Sequence, residues 1–317
     1  QTPRHLSLGL SDDDVVEMYR LMLLTRRVDD RMFALQRQGR AAFVLGSSGH
    51  EAVQVASVFA LDKERDWVLP YYRDMGVGLA WGFTPLEVFM AVFARKDDVF
   101  SGGHQLPSHW SDPERRVFTQ SSVIGTQFPH ASGIAHGLKL QGDNAVAVVY
   151  GGEGATSEGD WHEAMNWAGI HHLPLICVIE NNHYAISVPT REEVAGGVAE
   201  RAAGYGFPGH RIDGNDPFAV ILADDLLEGG GELVLAHLGS SNPYHREVMR
   251  AFLTGVSGED FGEDVDRWRE WIQSLSAMTI SMPSMSGILI SIITMSGRNS
   301  RARLTALRPS PTSPTTR

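Results

Sequence analysis

The sequence predicts an α/β protein with a mostly parallel sheet and helices on both faces, and three observations carry that prediction. Ala145 to Tyr150 is a short apolar, β-branched run of the kind that forms a buried strand. From about Ser157 to His171 a helix follows, with Trp161, Ala164, Met165, Ala168 and Gly169 at three- and four-residue spacing. Leu173 to Ile179 is a second apolar run of strand length, ending at Asn181 and Asn182. Strand, glycine turn, helix, strand is one βαβ unit, so the two strands are expected to be parallel and the crossover right-handed.

The flanking elements are consistent with this centre. Ser11-Asp12-Asp13-Asp14 is a helix start with Ser11 as N-cap and acids in the first turn, and the helix is expected to run to about Gln38 and stop at Gly39. Val15, Tyr19, Met22, Val28, Met32 and Leu35 give it an apolar stripe. Residues 43–51, FVLGSSGHE, form a loop entering a helix that continues through Leu61. Asp66 to Pro70 reads as a short strand that delivers Tyr71, Tyr72 and Arg73. Residues 84–95 form a helix with Pro85 at its first position, and residues 129–140 form a helix rich in small residues. Residues 1–275 read as one α/β domain. Residues 276–317 hold nine serines, five arginines and no aspartate or glutamate, and read as a disordered, compositionally biased tail, a shifted reading frame or degenerate terminus being the hypothesis.

Composition narrows the function. With 317 residues, 43% hydrophobic and 21% charged, the chain can bury a full core. A net charge of −11 makes nucleic acid and anionic membrane poor partners. The one cysteine, Cys177, falls on a buried strand as a small core hydrophobe; it leaves no disulfide within the chain and fits a reducing cytoplasm. No secretory signal opens the chain and no run of eighteen apolar residues occurs, so a cytoplasmic protein is expected.

Chemistry is expected at the βαβ unit. Gly151, Gly152 and Gly154 permit a tight turn and close backbone approach to a ligand. Glu153 and Asn182, 29 residues apart, leave the carboxyl ends of neighbouring strands, where ligands bind in open α/β sheets. A carboxylate and an amide oxygen are hard ligands suited to a magnesium ion that grips a diphosphate. A dinucleotide fingerprint is the rival; it fails because Ser157 stands at the third glycine position, and because a bare carboxylate repels pyrophosphate. The plainer alternative is a surface glycine turn with a solvated glutamate. Tyr72 and Arg73 supply a hydroxyl donor and a fixed positive fork for diphosphate oxygens; the alternative there is a surface ion pair of Arg73 with Asp74.

Gly-Glu-Gly, about 27 residues, then Asn-Asn resembles the thiamine diphosphate motif, and GGEGATSEGDWHEAMNWAG with ENNHYAIS resembles the alpha subunit of the decarboxylating first component of 2-oxoacid dehydrogenase complexes. The resemblance spans roughly residues 11–220 in four motif blocks, and glutamate in the turn favours the branched-chain type. It implies the thiamine-diphosphate-binding fold. It implies oxidative decarboxylation of a 2-oxoacid, with acyl transfer to the lipoyl group of an acyltransferase component. A beta subunit in a two-alpha, two-beta assembly would supply the glutamate that activates the cofactor.

Carried over residue by residue, the resemblance implies cofactor contacts at Tyr72, Arg73, Ser122, Ile124, Gly152, Gly154, Ala155, Asn182, Ala185 and Ile186. Magnesium would be held by Glu153, Asn182 and the Tyr184 carbonyl, and a potassium ion by Ser121, the Val123 carbonyl, Thr126 and Gln127. Phe43 and Tyr72 would face substrate, the alternative for Phe43 being a core aromatic. GGHQLPSHW (102–110) resembles the family's glycine-rich loop, with His104 where arginine is expected; His109 either sits near the reacting carbon or fixes the loop. Glu180 stands where some relatives carry a diphosphate-binding arginine and others glutamate. Past Val220 the resemblance stops, and the loop carrying the family's proton-transferring histidine is not found; neither His237 nor His245 has the matching context. Two alternatives stay open: a pyruvate or acetoin dehydrogenase alpha subunit, and a non-catalytic relative that serves as a subunit scaffold.

Overall fold

A computed structural model describes residues 3–221 and 289–295. After a single turn, α1 (Arg4–Ser7), the long helix α2 (Asp12–Arg37) begins with a full capping box: the Ser11 hydroxyl accepts from the Asp14 N–H and the Asp14 carboxylate accepts from the Ser11 N–H. Then come α3 (Glu51–Phe59), β1 (Trp67–Leu69), α4 (Met75–Trp81) and α5 (Pro85–Val92), the last capped by Thr84 and Glu87 with Pro85 at its start. The central unit follows as α6 (Gln127–Gln141), β2 (Ala147–Gly152), a 3-10 turn at Glu153–Ser157, α7 (Gly159–His171) and β3 (Leu175–Asn181). A small hairpin, β4 (Tyr184–Ala185) and β5 (Val188–Pro189), leads through α8 (Thr190–Glu193) and α9 (Val198–Arg201) to a 3-10 turn at Ala202–Tyr205, then β6 (Gly209–Asp213) and β7 (Leu289–Met295).

The main sheet has the order β1-β2-β3-β7-β6. β1, β2 and β3 are parallel, as the βαβ pattern requires, and β7 runs antiparallel to both neighbours. Side chains alternate between two cores. Val68, Val148, Tyr150, Ile176 and Val178 pack against α2 to α5, whereas Leu69, Val149, Leu175, Cys177 and Ile179 pack against α6 and α7. Because both faces are covered, the strands read as unbroken apolar runs.

Two expectations need correction. Residues 276–317 are expected to be a disordered tail, yet Leu289–Met295 within them is a strand between β3 and β6. Helix ends also shift, α3 stopping at Phe59 and α5 at Val92 rather than at Leu61 and residue 95. The rest of 276–317, His237 and His245 lie outside the described residues. Among the described residues no helix is long and apolar enough to cross a membrane.

Candidate functional site at the carboxyl edge of the sheet

The register of β2 and β3 pairs Gly152 with Glu180, so Glu153 and Asn181 leave adjacent strand ends together. Glu153 is buried. Its Oε1 accepts the Thr190 hydroxyl at 3.0 Å, and that hydroxyl also lies 3.3 Å from Asn181 Oδ1. Thr190 follows the β4–β5 hairpin, which thereby folds back under the glycine turn. Asn182, half-buried, turns its Oδ1 to the Tyr184 N–H at 3.1 Å. The residue joined to Glu153 through a shared partner is thus Asn181, with Asn182 the next one out. Gly154 is needed here for space: a Cβ would meet the Ala185 Cβ at 2.7 Å.

The hairpin is under backbone strain. His183 and Ile186 have φ of 72° and 57°, a region that L residues avoid and β-branched ones avoid most. Ile186 is 99% exposed, so burial does not stabilise it there. Strain of this kind, about 1–3 kcal/mol per residue, collects at ligand sites.

Arg73 lies beside this edge, half-buried. Its guanidinium donates to the Gly46 carbonyl at 3.1 Å and sits 5.2 Å from the Tyr72 ring centre. The Arg73–Asp74 surface pair is not formed: Asp74 is fully buried and accepts the Tyr71 N–H at 2.6 Å. Burial first, and the Glu180 charge second, push the Asp74 carboxyl well above its ordinary range, and the same two causes push up the Tyr71 hydroxyl. Behind Gly46, Asp29 on α2 receives the Ser47 N–H at 3.3 Å and the Ser48 hydroxyl at 2.5 Å, and burial raises its carboxyl too.

Two residues singled out separately meet in space. His109, buried, directs Nδ1–H to the Pro107 carbonyl at 3.1 Å, which leaves Nε2 to accept the Ser122 hydroxyl at 2.5 Å. His109 therefore ties the 102–110 loop to the 121–127 turn. In that turn the Thr126 hydroxyl donates to the Val123 carbonyl at 3.0 Å, the Ser121 hydroxyl accepts the Val123 N–H, and the Gln127 amide donates to the Tyr150 carbonyl. Ile124 and Phe43 are exposed, which removes Phe43 from the core. Ala155 is buried in the 3-10 turn. Thr190 and Gln54 escaped notice in the sequence, since each acts through partners far away in the chain; Glu180 had a signal, a lone carboxylate closing an apolar strand.

Fold and site together define an open α/β protein of the class that takes its ligand where parallel strands end, here one with an acidic turn facing paired asparagines. The chain belongs to the dehydrogenase E1 component family, whose sequence model matches residues 19–225. It is 49% identical over 223 residues to the 2-oxoisovalerate dehydrogenase subunit alpha of Bacillus subtilis, covering 70% of this chain and 68% of that one. The pyruvate dehydrogenase E1 component subunit alpha of the same organism is 41% identical over 216 residues, 68% of this chain and 55% of that one. The human mitochondrial 2-oxoisovalerate dehydrogenase subunit alpha is 42% identical over 212 residues, 67% and 47%. The chain thus spans about half the length of the last two. It is a 2-oxoacid dehydrogenase E1 alpha homologue, more similar to the Bacillus branched-chain subunit than to the pyruvate one.

Proposed function

We propose that this chain, joined to a beta subunit, oxidatively decarboxylates branched-chain 2-oxoacids with thiamine diphosphate and magnesium and passes the acyl unit to a lipoyl-bearing acyltransferase component. The observation that carries this reading is the buried Glu153 beside the asparagine pair on adjoining strand ends. Among the described residues the Glu153 carboxylate is met by the Thr190 hydroxyl and by no cationic side chain, and a buried carboxylate of this kind suits a cation ligand. At Gly152 an added Cβ would meet nothing within 4 Å, so the turn leaves open space there, and the oxygen donors beside it are hard. The residues present therefore fit the group that the family implies.

On this reading Glu153, Asn182 and the Tyr184 carbonyl hold the magnesium, while Arg73 and Tyr72 bind diphosphate oxygens. Gly152, Gly154, Ala155 and Ala185 let backbone approach closely, and Ser122, Ile124 and Ile186 line the remainder. Ser121, Val123, Thr126 and Gln127 are the residues for a potassium ion. Phe43 and Tyr72 face substrate, and His109 holds Ser122 in place. The bound cofactor supplies an electron sink for the pair of electrons left when carbon dioxide departs. The protein's part is to anchor the diphosphate, exclude water with apolar side chains and orient the 2-oxoacid. The lone buried thiol suits a reducing compartment.

Co-expression with a beta subunit tests the proposal. Calorimetry is expected to show magnesium-dependent binding of thiamine diphosphate, and a panel of 2-oxoacids to rank 3-methyl-2-oxobutanoate above pyruvate. Absence of magnesium-dependent heat, with and without the beta subunit, favours the scaffold alternative and overturns the proposal; a panel led by pyruvate overturns its substrate.

A further inference from the structure

One buried cluster takes no part in the chemistry above. Glu180 lies on β3, fully buried, with its side chain on the face packed by α2 to α5. Its Oε2 receives three donors: His50 Nδ1 through a short contact, Gln54 Nε2 at 3.1 Å and the Tyr71 hydroxyl at 3.3 Å. Its Oε1 has no hydrogen-bond partner among the described residues. Gln54, also fully buried, spreads its amide nitrogen over the Arg73 carbonyl at 3.1 Å, Asp74 Oδ1 at 3.2 Å and Glu180, while its oxygen accepts the Gly76 N–H at 3.1 Å.

Three chain segments converge on this carboxylate. His50 closes the loop whose Gly46 carbonyl holds the Arg73 guanidinium. Tyr71 opens the turn that carries Tyr72 and Arg73. Glu180 itself directly precedes the asparagine pair. A carboxylate taken out of water costs several kcal/mol and is met here on one oxygen only, so apolar packing would serve stability better. What an apolar residue lacks is direction: it has no fixed acceptor to set a hydroxyl, an imidazole and an amide at defined angles.

We propose that Glu180 is a positioning residue: from inside the sheet it sets the Arg73 turn, the 46–50 loop and the Asn181–Asn182 strand end relative to one another, so that the diphosphate subsite exists before any ligand arrives. This rests on the diphosphate reading of that edge. It assigns Glu180 a task different from that of an arginine at the same position, which would have to reach the diphosphate directly. Glu180 acts through Arg73 and Asn182 and touches no ligand.

The test uses the full chain co-expressed with a beta subunit, with Glu180→Leu, Glu180→Gln and Tyr71→Phe variants. Thiamine diphosphate with magnesium is the calorimetric probe, and amide hydrogen exchange is read without cofactor. Glu180→Leu strands three donors, so the dissociation constant is expected to rise about tenfold or more, and Tyr71→Phe, which removes one, about threefold. Glu180→Gln keeps an acceptor oxygen and is expected to stay within about threefold of the parent. Exchange is expected to quicken at residues 46–50, 71–74 and 181–184 and not in α6 or α7, and turnover at saturating cofactor to change by less than about threefold. If Glu180→Leu does not fold, Tyr71→Phe decides alone. Parent-like binding and exchange in Tyr71→Phe overturn the inference; so does exchange raised throughout the sheet with binding and turnover falling together, which is the mark of general destabilisation. A parent that binds no cofactor overturns the proposed function, while the exchange measurement still decides the positioning role.

Discussion

Replacing Glu153 by glutamine separates the stability of this edge from its function. The carboxylate is buried and, among the described residues, accepts from one hydroxyl, that of Thr190 at 3.0 Å. Glutamine keeps the shape and an acceptor oxygen for Thr190 but removes the buried charge, so the cofactor-free protein is expected to gain about 1–2 kcal/mol. For a domain of this size that is roughly 2–8 °C in Tm. The same change removes the one charged metal ligand of the proposed site, and magnesium-dependent cofactor binding is expected to weaken by about a hundredfold or more. With cofactor at about one hundred times its dissociation constant the parent gains about 2.7 kcal/mol, whereas the variant gains almost nothing. The two proteins therefore exchange order: the variant melts higher without thiamine diphosphate and magnesium, and lower with them. Differential scanning fluorimetry of both proteins in both conditions reads this directly. A variant that melts below the parent without cofactor, yet still shifts upward with it, would refute the metal role.

Two further outcomes follow from contacts near the same strands. Gly154→Ala places a Cβ 2.7 Å from the Ala185 Cβ, and relief requires moving β4; a loss of about 1–3 kcal/mol is expected in denaturant melts, recovered when Ala185→Gly is added, and simple additivity of the two changes would count against the contact. Burial pushes the Cys177 thiol to about 12 from an ordinary 9.0. The folded-state value is raised, so its contribution to stability is fully present below pH 9.0 and is lost as pH climbs toward 12. The parent is expected to lose about 1.4 kcal/mol per pH unit across that window relative to Cys177→Val, and to resist a thiol reagent at about pH 8 until unfolded; prompt native-state labelling would contradict the burial.

Much of this was legible from the sequence because it depends on neighbours. The βαβ unit could be read from two apolar runs around a glycine turn, and the structure pairs them in parallel, Gly152 opposite Glu180. The α2 cap was readable because Ser11 and Asp14 lie within one turn. What could not be read depends on partners brought in by tertiary packing. Asp74 looks like half of a surface pair until Gln54, on another helix and 20 residues away, is packed over it. Thr190 meets Glu153 across 37 residues because a hairpin folds back, and no local pattern announces that. Leu289–Met295 lacks period-two alternation, so no local pattern marks it as a strand, yet it pairs with β3 and β6.

The carboxyl edge of the sheet also stands out without reference to any motif. Over much of the described chain, local rules are obeyed: α2 and α5 open with capping boxes, and β1 to β3 are apolar and alternate between two cores. Several departures from these rules lie together at the carboxyl edge of the sheet. Glu153, Glu180 and Asp74 are buried carboxyl groups, the Oε1 of Glu180 without a hydrogen-bond partner among the described residues, and His183 and Ile186 hold backbone angles that their side chains disfavour. Each costs on the order of 1–3 kcal/mol, and together they equal a sizeable part of a domain's net stability. Such features persist where a ligand or its positioning requires them. A divalent cation beside Glu153 would compensate that charge, and an anion beside Arg73 would complete the balance. The strained hairpin and the buried carboxylates thus mark the same edge as the glycine turn and the asparagine pair, by reasoning that uses no sequence resemblance.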